Sequence, residues 1–253
     1  MPAVYLMLGL PGSGRREVLL DLIEGGLPDA REVVVYHAAG DEAPGAALAG
    51  RAGITLRRYT WTNGRAVTEE KEGASDAEAV FFLADGRVSP IDQLEAFPAW
   101  LAERGWKLTR ILLVVHCALA AAHREVAEWH EACGHFADCL LLNRREGVSN
   151  AWLSEFRRKF TEECHPGLFA WVKQGRVDNA PLLLFPESRR LSLVFDELDP
   201  LDDLDEDDDL PEDPLALENK PDPYFERSPS GHRRKAVPDV TKFLPAGDAA
   251  AAR

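Results

Sequence analysis

Thiols are scarce: the chain has four cysteines at irregular spacing among 253 residues, too few and too scattered for a disulfide framework. Cys117 and Cys139 lie in or beside expected core strands, so a reducing compartment, the cytoplasm, is the expectation. Long apolar runs are also missing. The opening stretch AVYLMLGL has no basic flank before it and breaks at Pro11-Gly12. It is too short to span a bilayer or to serve as a signal core, and no membrane partner is expected. Lys and Arg are absent from residues 196–213, which carry twelve Asp or Glu. Nearly all of the formal net charge of −14 therefore sits there, and the remaining body is close to neutral. Without a basic face to displace counterions, nucleic acid is not an expected partner. No Ser-His-Asp or Cys-His signature of nucleophilic catalysis occurs, so catalytic residues stay unassigned, and there is no internal repeat.

What is present is a hydrophobic content of 45%, enough for one sizeable domain. Residues 3–8 read as a buried strand, and Arg15 to Leu27 as a helix with Val18, Leu19, Leu22 and Ile23 on one stripe. The run EVVVYHA is a second strand. ITLRRYTWTNGRAV reads as a hairpin about Asn63-Gly64. Further buried strands are expected in AEAVFFLAD, RILLVVH and DCLLLN, with RLSLVF as a candidate last strand. Ser89 and Ser149 are expected helix caps, and a single helix is expected from about Ala118 to Cys133. Strands alternating with helices predict an α/β fold, a three-layer, mostly parallel sheet. This domain spans residues 1–195. Residues 196–253, rich in Asp, Glu and Pro, are expected to form a disordered acidic tail, with DVTKFLP a small apolar island within it. The tail is a candidate site for a basic protein partner, or a solubilising segment.

Between the first strand and the first helix lies GLPGSGRR, residues 9–16. Gly9, Gly12, Ser13 and Gly14 preserve the layout of a phosphate-cradling loop, whose backbone N–H groups converge on an anion together with a helix N-terminus. Such loops continue with Lys and then a hydroxyl residue, the first reaching the outer phosphates and the second ligating Mg²⁺. Here Arg15 and Arg16 stand instead. Arg15 keeps a positive charge, whereas Arg16 cannot ligate a metal ion. The alternative is a strand-to-helix turn that merely favours glycine.

Taken in order, LMLGLPGSGRREVLLDLI, FFLADGRVSPIDQLEAF, RILLVVHCA, FADCLLLNRRE and HPGLFAWVKQGRVDNAPLLL resemble the CobW family of P-loop GTPases, relatives of urease and hydrogenase metal chaperones. The resemblance covers about residues 3–185 and implies a P-loop NTPase fold with GTP or GDP as ligand. It also implies roles. Asn143, Arg144 and Glu146 of NRRE fall where the family reads guanine with Asn-Lys-x-Asp. Asp85 and Gly86 of LADGRVSP fall on the switch segment, making Asp85 the candidate Mg²⁺-side carboxylate. His116 replaces the Asp that closes the following strand. Of the family's Gly-Cys-x-Cys-Cys metal loop only Gly64 remains, so no soft-metal site of that design is expected. The second, C-terminal domain of the family gives way to the acidic tail.

His116, Cys117, His123, His130, Cys133, His135 and Cys139 are metal-type ligands within a short stretch, but their spacing does not fit a zinc finger, and helix-end histidines and core thiols are the expected reading. The expectation is therefore a nucleotide-binding protein, GTP preferred, with weak or absent hydrolysis and little use for Mg²⁺. The alternatives are an interaction protein that keeps the fold without the ligand, and an active metallochaperone GTPase.

Overall fold

The computed structural model describes residues 1–40, 48–68, 76–196 and 222–244. They fall into two compact units, one made of residues 1–191 with the stretch from Val237 onward, the other of residues 192–236.

The first unit is built on nine strands and six helices among the described residues. In chain order these are β1 (Ala3–Gly9), α1 (Arg15–Gly26), β2 (Val33–Ala38), β3 (Ile54–Thr62), β4 (Arg65–Thr68), β5 (Ala79–Leu83), α2 (Pro90–Ala102) and β6 (Leu108–His116). Then come α3 (Cys117–Ala122), α4 (Arg124–His135), β7 (Cys139–Asn143), α5 (Asn150–Glu162), β8 (Leu168–Lys173), β9 (Arg176–Val177) and α6 (Ala180–Leu184). The sheet runs β4-β3-β2-β5-β1-β6-β7-β8-β9. Its seven inner strands are mutually parallel, and β4 and β9 add antiparallel edges. Continuous burial along β2, β5 and β7 matches their unbroken apolar sequences, the signature of strands covered on both faces.

Alternation along the strands sorts the core into two layers. Met7, Phe81, Leu112, Val114 and Leu141 pack with Val18, Leu19 and Leu22 of α1 and with Leu183 and Leu184 of α6. On the opposite face Tyr36 and Phe82 meet the α2 rings of Phe97 and Trp100, which stack at 5.2 Å, and Tyr59 stacks on Phe82. Farther along that face α5 lies against α4, where a Cβ on Gly134 would press into the Phe160 ring. The three-layer α/β reading therefore holds. The Asn63-Gly64 hairpin holds too: both residues have positive φ, 52° and 74°, as a tight two-residue hairpin turn requires.

Two expectations meet a different outcome. The helix expected from Ala118 to Cys133 is two helices, because His123 adopts an extended conformation (φ −136°, ψ 117°) between α3 and α4. Residues 190–195 form no strand; Arg189 and Arg190 are instead anchored on Asp138. Within the tail, residues 197–221 and 245–253 lie outside the described residues, but 222–244 carry structure. A bridge pairs Arg227 with Arg233, and a 3₁₀ turn spans Thr241–Phe243. That turn belongs to the first unit, with Val240 only 3% exposed, because four apolar side chains in eight residues are enough to cover one patch of a preformed surface.

Candidate nucleotide-binding site

The loop after β1 owes its shape to its own sequence. Ser13 N–H donates to the Leu10 carbonyl at 3.1 Å, closing a turn with Pro11 and Gly12 at its centre. Proline fixes the first central φ, and Gly12 supplies the second at +80°. Gly14 then caps α1 at φ 85°, and Val18 N–H donates to its carbonyl at 3.1 Å. Among the described residues, the N–H groups of Gly12 and Gly14 make no hydrogen bond within the chain. The Ser13 hydroxyl is buried and likewise has no partner there.

The neighbouring elements close around this loop. From the end of β7, Asn143 Nδ2 donates to the Ser13 carbonyl at 2.8 Å, which leaves Oδ1 as an acceptor. Arg144, held at φ 50°, donates through Nε to the Gly12 carbonyl (3.2 Å) and through Nη2 to Glu17 Oε1 of α1 (3.3 Å). Glu146 is exposed on the same loop. Gly86 lies against the other side, where a Cβ would come within 2.6 Å of the Gly9 carbonyl and 2.7 Å of Pro11. The structure thus brings Gly9, Gly12, Ser13, Gly14, Asn143, Arg144 and Gly86 together at the C-terminal end of the parallel sheet, where ligands of open α/β sheets bind.

The two arginines behave differently from each other. Arg15 is 6% exposed and turns inward, its Nη1 donating to the Ala84 carbonyl just past β5. At least one of its donors is thereby engaged by a protein carbonyl. Arg16 is half-buried on the first turn of α1. Asp85 is half-buried as well; its Oδ1 accepts the Arg87 N–H at 2.9 Å, so this carboxylate shapes the turn that follows β5. Gln93 of α2 pins the same turn, accepting from Asp85 N–H and donating to the Asp85 carbonyl, both at 2.8 Å. Neither Asp85 nor Gln93 was legible in this positioning role from spacing alone. A guanidinium has donors only, so Arg16 offers no ligand to a cation.

His116, at the end of β6, accepts the Leu119 N–H on Nδ1 (3.2 Å) and caps α3, while its own N–H donates to His130 Nε2 (3.2 Å). His130 in turn donates from Nδ1 to the Val126 carbonyl at 2.8 Å. Burial lowers the pKa of both imidazoles, that of His130 to about 4. The remaining metal-type residues are dispersed. Cys139 faces α6 with its thiol near Arg110 and the Leu183 carbonyl, and burial pushes its pKa up to about 12. Cys133 is buried on α4, and His123 stacks on Phe243. Among the described residues no three His, Cys, Asp or Glu come together as a metal site.

The fold is a three-layer α/β fold: a mostly parallel sheet with a glycine loop between β1 and the N-terminus of α1. No family model matches the chain, and no curated protein matches it in sequence. Among solved structures it is similar to the Zn(II)-bound YjiA GTPase from E. coli, with 17% identity over 73% of this chain and a TM-score of 0.42. It is also similar to the cell division protein FtsY from Thermotoga maritima, with 14% identity over 73% of this chain and the same TM-score. The chain spans 61% of the YjiA chain and 67% of the FtsY chain. No helix among the described residues is long and apolar enough to cross a membrane.

Proposed function

We propose that the chain is a nucleotide-binding protein of the CobW-like type, with guanine nucleotides preferred, and that it hydrolyses them weakly or not at all. The observation that carries this reading is the unmet hydrogen-bonding capacity of the loop. The Gly12 and Gly14 N–H groups and the buried Ser13 hydroxyl make no bond within the described chain. Gly12 is exposed, but the Ser13 hydroxyl is buried; a buried polar group left unpaired costs about 1–3 kcal/mol, and phosphate oxygens at a helix N-terminus are acceptors that would meet it. On this reading Asn143 Oδ1 and the exposed Glu146 carboxylate are the groups available to a guanine, and Arg144 lies where its plane can stack on a base. Hydrolysis also requires a placed metal ion and a positioned water. Arg16 and the engaged Asp85 supply neither.

A second reading, an interaction protein that keeps the fold without the ligand, is favoured by one observation: Arg15 is buried and donates to the Ala84 carbonyl instead of standing open to a ligand. Thermal unfolding with millimolar GDP, GTP, ADP or ATP separates the two. Nucleotide at a hundred times its Kd stabilises by about 2.7 kcal/mol, so the first reading expects a clear rise in Tm with guanine nucleotides. It also expects a smaller guanine-over-adenine difference in Glu146→Ala. No shift with any nucleotide selects the second reading.

A further inference from the structure

The apolar island near the C-terminus docks on the first unit through side chains alone. Phe243 stacks on the His123 ring at 4.2 Å and 25°, Lys242 Nζ pairs with Glu125 Oε1 at 3.2 Å, and Val240 is buried. The backbone hydrogen bonds of the segment are made within it. Asp239 Oδ1 accepts from the Thr241 N–H (2.9 Å) and hydroxyl (2.7 Å), while Phe243 and Leu244 N–H donate to the carbonyls of Val240 and Thr241. Detachment would therefore strand no backbone hydrogen bond among the described residues. This is the character of a docked peptide rather than of an integral strand or helix.

The surface beneath it consists of the start of α4, Trp129 one turn on, and the segment leading into α2. A cavity of about 260 Å³ is lined by Val237–Thr241 on one side and by Gly86, Arg87, Ser89, Pro90 and Trp129 on the other. Gly86 in turn packs on Gly9 and Pro11. The docked segment thus faces the stretch that abuts the glycine loop.

We propose that Gly86–Pro90, His123, Glu125 and Trp129 form a peptide-binding groove. It is selective for an aliphatic residue followed three positions later by an aromatic one, with a basic residue before the aromatic. In this chain Val240, Lys242 and Phe243 occupy the groove, facing Gly86–Pro90 across the cavity, and so limit the motion of that stretch. Buried aliphatic and aromatic side chains supply the affinity, and the Lys242–Glu125 pair at the rim supplies register.

The inference does not depend on nucleotide binding, and its test is made without nucleotide. Hydrogen exchange of the full chain is compared with that of the double variant Val240→Asp, Phe243→Ala. Exchange should quicken about tenfold or more in residues 237–244 and in 84–92, with the β1 and β6 amides unchanged. A synthetic peptide of residues 236–245 added in excess should restore protection of 84–92, whereas the same peptide with its phenylalanine replaced by alanine should not. Lys242→Glu, a surface change that keeps the core intact, should give the same pattern in weaker form and serves if the double variant loses protection throughout. Unchanged exchange at 84–92 in both variants would overturn the proposal. So would equal restoration by the two peptides.

Discussion

Gly14 is where the candidate site is least tolerant of change. Its φ of 85° suits glycine, and a Cβ there would overlap Asn143 Nδ2, so Gly14→Ala strains the backbone and pushes away the side chain that ties β7 to the loop. The expected loss is roughly 1–3 kcal/mol in urea unfolding, with Gly12→Ala, which has open space at its Cβ, costing less. His130 makes a second residue-scale prediction. Its folded pKa of about 4 lies below its ordinary 6.5, so between those values the unfolded chain takes up a proton that the folded chain refuses. Stability should therefore rise with pH across that window and be lost as pH falls through it. The contribution is on the order of 3 kcal/mol at full extent. His116 and His165 are depressed in the same direction. His130→Gln, which keeps a donor and an acceptor but does not titrate, should flatten the profile of urea midpoint against pH between 6.5 and 4. A profile as steep as that of the unaltered protein would show that His130 does not set it.

Among the elements, α6 and the stretch after it depend on charges buried under the opposite end of the sheet. Arg110 of β6 is fully buried; it donates to the carbonyls of Leu182 (2.9 Å), Leu183 (3.2 Å) and Glu187 (2.8 Å). Asp138, before β7, accepts from Ile111 N–H, Arg189 N–H and Arg190 Nη1. Arg110→Met keeps the bulk but leaves three carbonyls short of a donor, and should cost about 3 kcal/mol by urea unfolding. A loss under about 1 kcal/mol would mean that water or a shift of α6 replaces those bonds. These charges also mark the limit of what the sequence discloses. The β1–loop–α1 unit, the Asn63-Gly64 hairpin and the Ser89 and Ser149 caps were legible because each rests on neighbours in the chain. Arg110 and Asp138 are single polar residues whose partners lie dozens of positions away, and no local pattern announces them. The break at His123 was hidden because helix propensity continues through it, and the docked island at 237–244 because a few apolar residues inside a polar tail resemble a linker. At the glycine loop, sequence located the turn but not the direction of Arg15, which donates to the carbonyl of Ala84 just past β5.

At the scale of the whole molecule, the three-layer sheet brings the glycine loop, the NRRE loop and the segment after β5 to one end, and buried polar networks hold the other. That division leaves one end free to serve a ligand. On the proposed reading, Arg16 stands where such loops carry a metal-binding hydroxyl, so nucleotide is expected to bind through backbone N–H groups, with Mg²⁺ contributing little. Isothermal calorimetry with GDP and GTP, in magnesium and then in excess chelator, tests this most directly. The account predicts one binding site whose affinity is the same in both buffers. Binding that appears only with magnesium, or no binding heat at millimolar nucleotide together with no thermal shift, would contradict it.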